Sequence, residues 1–212
     1  MQAQYPDIQL TFFARGGQAM GGLEVRDGVL APNNSRLKEG IKFTSKGKSH
    51  INETEYDAFL LYGLDFKVSP YFGPGFYSSH LKNVVRKERF ELSLMGYIFG
   101  CVRSLSSKRV FVGHNPLPAR PREYLDEVFS AEEFEKEVRW LDGYLGEGSE
   151  LIGQPVSTID TGSSTKESFG RNSVKLETGD DEDNMPHEVN DIYHMGFEFG
   201  EQWLFKLFEN LK

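Results

Sequence analysis

Asp191 stands three residues before His194, and the run behind them reads as a helix. Gly200, Leu204, Leu207, Phe208 and Leu211 recur at helical spacing with Trp203 beside them, which predicts a buried terminal helix. Gly196 and Gly200, four apart, would give that helix a smooth face able to press close to the layer beneath. The Asp–His pair is then delivered at the mouth of the helix. A carboxylate so placed holds an imidazole in one tautomer and stabilises its charged form, which is the base half of an acyl-transfer site. The pair also has a plainer reading, in which Asp191 caps the helix and His194 is incidental.

Two other stretches carry groups that fit such chemistry. Gly63 closes an apolar run, and Gly113-His114-Asn115 closes another. A glycine amide and an asparagine side-chain amide are suitable donors to a developing oxyanion. Taken singly, each reads equally as a turn. Ile159-Asp160-Thr161-Gly162-Ser163 has the aspartic-protease pattern, but that chemistry needs a second carboxylate motif, and the chain has none. Ser78 and Ser79 beside His80 read as a helix start, where serine is a cap. The five histidines, at 50, 80, 114, 187 and 194, show no metal-ligand spacing among themselves, so neither a metal nor another cofactor is expected. The glycine-rich loop at 16–22 lacks the Lys-Ser/Thr of a phosphate loop and reads as a turn.

The elements that must position these groups follow from periodicity. Ile8–Phe13 reads as a first strand. Leu23–Leu30 reads as a hairpin turning at Asp27-Gly28. Leu37 and Ile41 predict a brief helix after Asn34 or Ser35. Tyr56–Leu64 is apolar without alternation, as in a strand covered on both faces of a parallel sheet. Ser69–Gly75 reads as a loop. A long helix is expected from about Ser79 to Leu105, with Leu81, Val84, Val85, Leu92, Met95, Ile98, Phe99 and Val102 as its buried stripe. Lys108–Gly113 reads as a further strand. Ser130 with Glu133 forms a capping box, and Phe134, Val138, Leu141 and Leu145 line the helix behind it, which ends at Gly146–Ser149. Residues 150–190 look least regular, and the acidic run 180–183 reads as a solvated loop. Alternating strands and helices point to an α/β fold with a mainly parallel sheet, whose ligands gather beyond the carboxyl ends of the strands.

Composition narrows the classes. A chain of 212 residues, 38% hydrophobic and 13% aromatic, suits one globular domain over 1–212. A net charge of −8 argues against a nucleic-acid backbone as partner. Cys101 is the only cysteine, which excludes an internal disulfide and fits a reducing compartment. No apolar run is long enough to span a membrane, and the first residues do not have the pattern of a signal peptide. The expectation is a cytoplasmic protein with no membrane partner.

In the order Gly63, Gly113-His114-Asn115, Asp191-Ile-Tyr-His194, the chain resembles the SGNH, or GDSL-like, hydrolase superfamily. Gly63 matches the second block, Gly113-x-Asn115 the third, and Asp191-x-x-His194 the fifth, although Pro116 stands where an aspartate commonly follows the third. Tyr56–Gly63, Asn115–Pro118 and His194-Met195 look like a bacterial SGNH-like group of poorly defined substrate. The resemblance implies a three-layer α/β/α sandwich and serine-esterase chemistry on a small-molecule or glycan ester or acetyl group. In it His194 is the general base, Asp191 orients it, and Gly63, Gly113 and Asn115 line the oxyanion site. The departure is the first block, whose serine is the nucleophile. Here the first predicted strand is followed by Gly16-Gly17-Gln18, and glutamine cannot form an acyl-enzyme. One explanation is a degenerate relative, a non-catalytic α/β module that binds a small molecule, a glycan or a protein. The other, which we favour on the sequence, is a start downstream of the true one, so that the first strand and nucleophile turn are missing. That strand is central in the family's sheet, and its loss should expose two edges.

Overall fold

A computed structural model of the chain describes residues 5–68, 77–119, 129–170, 173–175, 185–187, 191 and 193–211. The loop expected at Ser69–Gly75 and the acidic run at 180–183 lie outside these residues. The described elements are β1 (Leu23–Arg26), β2 (Val29–Pro32), α1 (Ser35–Thr44), β3 (Ala58–Leu61), α2 (Ser79–Glu91), α3 (Leu94–Leu105), β4 (Arg109–Gly113), α4 (Ala131–Leu145), β5 (Ser149–Ile152), β6 (Ile159–Thr161), β7 (Ser164–Thr165) and α5 (Phe197–Leu211). The fold is mixed α/β. Its parallel sheet has the order β3-β4-β5, and β1-β2 and β6-β7 are small antiparallel pairs.

Local chemistry explains most boundaries. Asp27 and Gly28 both have positive φ, 51° and 78°, as a tight hairpin turn that follows strand twist requires. Asn34 caps α1 by accepting from the Leu37 amide at 2.9 Å. Ser130 and Glu133 close the expected capping box on α4.

β4 is the central strand, and Val110 through Gly113 are buried. Successive side chains on a strand face opposite ways, and β4 divides the core accordingly. Val110 and Val112 pack with Met95, Ile98, Phe134 and Leu141 from α3 and α4. Phe111, with Ile152 of β5, packs with Phe199, Trp203, Leu207 and Phe208 of α5. The direction of α5 follows from two contacts. The space beside Gly113 is occupied by the Trp203 indole, and the Asn210 carbonyl accepts from the Arg109 guanidinium at 2.9 Å. The helix therefore runs antiparallel to β4, and its first residues lie beyond the carboxyl end of the sheet.

The structure corrects several expectations. Residues 8–13 form no strand: Leu10 and Phe12 are 46% and 62% exposed. Tyr5 and Ile8 pack with the α5 cluster while Phe13 packs with the other, so the segment links the two clusters instead of joining the sheet. Strand propensity reports fit to a paired, half-buried surface, and this segment has no such pairing. β3 and β4 are hydrogen-bonded to each other in register Leu61 to Val112, so no strand lies between the Gly63 strand and the Gly113 strand. β3 is an edge strand and Leu60 is exposed, so it is not covered on both faces. The long helix is two helices. Ser93 caps α3 by accepting from the Gly96 amide at 3.0 Å, and a Cβ on Gly96 would fall 2.0 Å from the Phe90 carbonyl oxygen. That close turn ends α2. Its apolar residues Leu81 and Val84 are exposed, and Leu92 is 86% exposed. Finally, β5 lies in the stretch that looked irregular, because it is only four residues long and follows Gly146 and Gly148 directly.

Candidate functional site

The loop that leads into α5 is held at three points. The Gly196 amide donates to the Phe169 carbonyl at 2.6 Å. His187 belongs to a short antiparallel contact, Val174 opposite Pro186, and its amide donates to the Ser173 carbonyl at 3.0 Å. Asp191 holds the turn that follows it: Oδ1 accepts from the amides of Tyr193 and His194 at 2.8 and 3.1 Å. Asp191 is therefore the anchor of an Asx turn. It does not cap α5, which begins at Phe197. The predicted smooth helix face also differs, because a Cβ on Gly200 would meet nothing within 4 Å.

With Oδ1 committed to the turn, Oδ2 of Asp191 faces side chains. His194 Nδ1 lies 2.6 Å from it and donates, which leaves Nε2 as the free acceptor. His187 Nδ1 lies 3.3 Å from the same oxygen. The two imidazoles are stacked, with ring centroids 3.8 Å apart and planes 6° from parallel. His194 is the open member, with 57% of its side chain exposed against 17% for Asp191. Desolvation pushes the Asp191 carboxyl up, but bonds from the Tyr193 amide and from the ring and amide of His194 outweigh it and hold it below the usual carboxylate range. Desolvation, helped by the charge of His194 and only partly opposed by Asp191, lowers His187.

The expected oxyanion groups sit at the same end of the sheet. The Asn115 amide donates to the Phe66 carbonyl at 2.7 Å, and the neighbouring Lys67 ammonium lies 4.8 Å from the Tyr193 ring centroid. These contacts link the loops after β3 and β4 to the turn that carries His194. Gly63 has φ of +72° and open space around it. Gly113 is different: a Cβ there would lie 2.5 Å from both the Trp203 and the Tyr62 rings, so its missing side chain admits packing. Asn115 Oδ1 and Trp203 Nε1 are buried with no hydrogen-bond partner among the described residues. The structure brings Asp191 and His194 together directly. It shows no hydrogen bond from either to Gly63, Gly113 or Asn115.

His114, between Gly113 and Asn115, is a structural residue. Its Nε2 accepts from the Gln154 amide at 3.0 Å, and Nδ1 donates to the Asn115 carbonyl at 2.7 Å. Gln154 in turn bridges the Leu117 amide and the hydroxyls of Thr158 and Thr165. Desolvation holds the His114 pKa down at about 4, although the Asn115 carbonyl opposes it, so the ring stays neutral. Ser78 is the cap of α2, accepting from the Leu81 amide at 3.2 Å, and Asp160 is exposed on the β6-β7 hairpin. Gln18 lies in a short 3-10 turn packed on α1 and α3. A cleft of about 210 Å³ lined by Arg109, Phe111, Ser149 and Glu150 opens at the amino ends of β4 and β5, away from these loops.

The histidines compared only with one another show no ligand spacing, yet His187, Asp191 and His194 offer ligand atoms that all lie within 4.8 Å of one another. The signal in the sequence is His-x3-Asp-x2-His, visible once the carboxylate is counted with the imidazoles. No helix among the described residues is long and apolar enough to cross a membrane. No protein-family model, curated protein or solved structure matches the chain.

Proposed function

We propose that the chain is an SGNH-type hydrolase module acting on an ester or acetyl group, in which His194 is the general base and Asp191 its orienter. The observation that carries this reading is the 2.6 Å contact between His194 Nδ1 and Asp191 Oδ2, on a carboxylate whose other oxygen is fixed by two amides. That arrangement leaves Nε2 of an exposed ring free to take a proton. Gly63 and Asn115 are the proposed oxyanion donors. Asn115 side-chain Oδ1 and Trp203 Nε1, buried without a hydrogen-bond partner among the described residues, support a ligand at this end of the sheet, because buried polar groups are otherwise bonded. Helical clusters on both faces of β4 support the three-layer α/β/α arrangement that the resemblance implies.

Among the described residues no serine hydroxyl is hydrogen-bonded to His194, which favours the runner-up, a non-catalytic module that binds a small molecule, a glycan or a protein. Aryl acetate hydrolysis in chelator-treated buffer separates the two. A base with oxyanion donors but no serine should give slow, His194-dependent turnover without a covalent intermediate. His194→Ala should lower it by about 10²-fold, the lower end of what a positioned base contributes, and a fluorophosphonate probe should not label the chain. Equal rates for the parent and His194→Ala would leave the binding module as the reading.

A further inference from the structure

Asp191 Oδ2 is a hub for two imidazoles, and a hydrogen bond to one of them accounts for only half of the arrangement. His187 Nδ1 stands 3.3 Å from that oxygen. Zinc bonds to nitrogen and oxygen of about 2.0–2.1 Å set ligand atoms in a tetrahedral site roughly 3.3 Å apart. His194 Nδ1, at 2.6 Å, is closer because a proton holds it there. A cation replacing that proton requires a ring to rotate out of the stack, because two parallel imidazoles 3.8 Å apart cannot both aim a nitrogen lone pair at one ion, and His194 is the exposed one of the two rings. The other two ligands are already placed: His187 by its backbone bond to Ser173, and Asp191 by the turn it closes.

We propose that His187, Asp191 and His194 form a binding site for a divalent cation of the zinc class. Two imidazoles and one carboxylate suit zinc or cobalt, whereas magnesium and calcium call for an all-oxygen shell. Three protein ligands leave a fourth position for water or a further ligand. A cation on either ring nitrogen of His194 leaves the other protonated, so the bound ion and the general base are alternative states of one residue. The site rests on its own geometry and does not depend on the hydrolase reading.

The test is titration of the chelator-treated full chain with Co²⁺, followed by visible absorption, then competition with Zn²⁺. One ion per chain is expected, with the intense absorption of a four-coordinate centre, displaced by one equivalent of Zn²⁺. His187→Ala should weaken binding by more than about tenfold, since even an outer-shell partner is worth 10–100-fold. His187→Asn serves as a second variant if the first fails to fold, and His50→Ala, an exposed histidine elsewhere, should bind as the parent does. Absence of saturable binding, or binding that survives both His187→Ala and His194→Ala, would overturn the proposal. Because the readout is absorption, cobalt bound to a chain with no His194-dependent hydrolysis leaves the cation site standing and removes the hydrolase. His194-dependent hydrolysis without cobalt binding does the reverse.

Discussion

Gly113 lies under Trp203: a Cβ added to the glycine would fall 2.5 Å from indole Cζ2. The same atom would meet the Tyr62 ring at 2.5 Å, so neither side offers room. Gly113→Ala must displace Trp203 or Tyr62, and overpacking of this kind costs about 1–3 kcal/mol. Urea unfolding should show the loss. Gly200→Ala is the contrast, because its Cβ meets nothing within 4 Å on a helical residue. It should stabilise by about 0.5–1 kcal/mol. A reversed order of the two midpoints would mean that α5 is not seated on Gly113.

The weight carried by α5 can be measured at a single side chain. Leu207 is 1% exposed and packs with Phe111 and Ile152 on the sheet. Leu207→Ala should cost about 2–5 kcal/mol, a large share of a typical total of about 5–15. Phe205→Ala, on the exposed side of the same helix, should shift stability by no more than about 0.5 kcal/mol. Equal effects would show the helix to be peripheral.

These contrasts show what sequence could and could not reveal. Turn and cap chemistry is local, so the hairpin at Asp27-Gly28, the Asn34 cap and the Ser130–Glu133 box were all legible. β4 was legible too, because Val110, Phe111 and Val112 of this central strand are apolar in succession, as burial on both faces requires. β5 was not, since four residues carry no periodicity. Residues 8–13 look like a strand by composition, but strand formation needs a pairing partner, and this segment packs across the two core clusters without joining the sheet edge at β3. The apolar spacing over 79–105 could not show the break, which depends on Ser93 accepting from the Gly96 amide. At the site, the Asp191–His194 pair was legible from its spacing. The role of Gly113 was not, because it depends on an aromatic ring ninety residues away in the chain.

His114 gives the fold a pH dependence with a definite sign. Its pKa is held at about 4 in the folded chain, against about 6.5 when unfolded. Below pH 6.5 the unfolded chain gains a proton that the folded chain refuses, so stability falls as pH drops from about 6.5 to about 4. A difference of about 2.5 units corresponds to roughly 3 kcal/mol over that window, and none is lost at higher pH. Urea midpoints measured at several pH values should show this slope in the parent. His114→Gln should be less stable at neutral pH, through loss of the bonds to Gln154 and Asn115, and should have a flatter profile. A variant with the parent's slope would place the titrating group elsewhere.

Asp191 does two jobs with its two oxygens, and the substitution Asp191→Asn separates them. The amide keeps an oxygen that can accept from the Tyr193 and His194 backbone, as Oδ1 does now, so the turn should persist and the melting temperature should change little. The negative charge that faces His194 and His187 through Oδ2 is lost. An amide in place of the orienting carboxylate leaves the histidine in the wrong tautomer, and in a complete triad that lowers turnover by about 10⁴-fold. In this partial site we expect aryl acetate hydrolysis to fall at least tenfold and Co²⁺ binding to weaken with it. Asp191→Ala, which removes both oxygens, should lose the chemistry and also lower stability by about 0.5–2 kcal/mol, the range for losing a backbone cap. If Asp191→Asn instead lowers the melting temperature while leaving hydrolysis and cobalt affinity intact, the carboxylate serves the turn alone, and His194 is an exposed residue without a partner in chemistry.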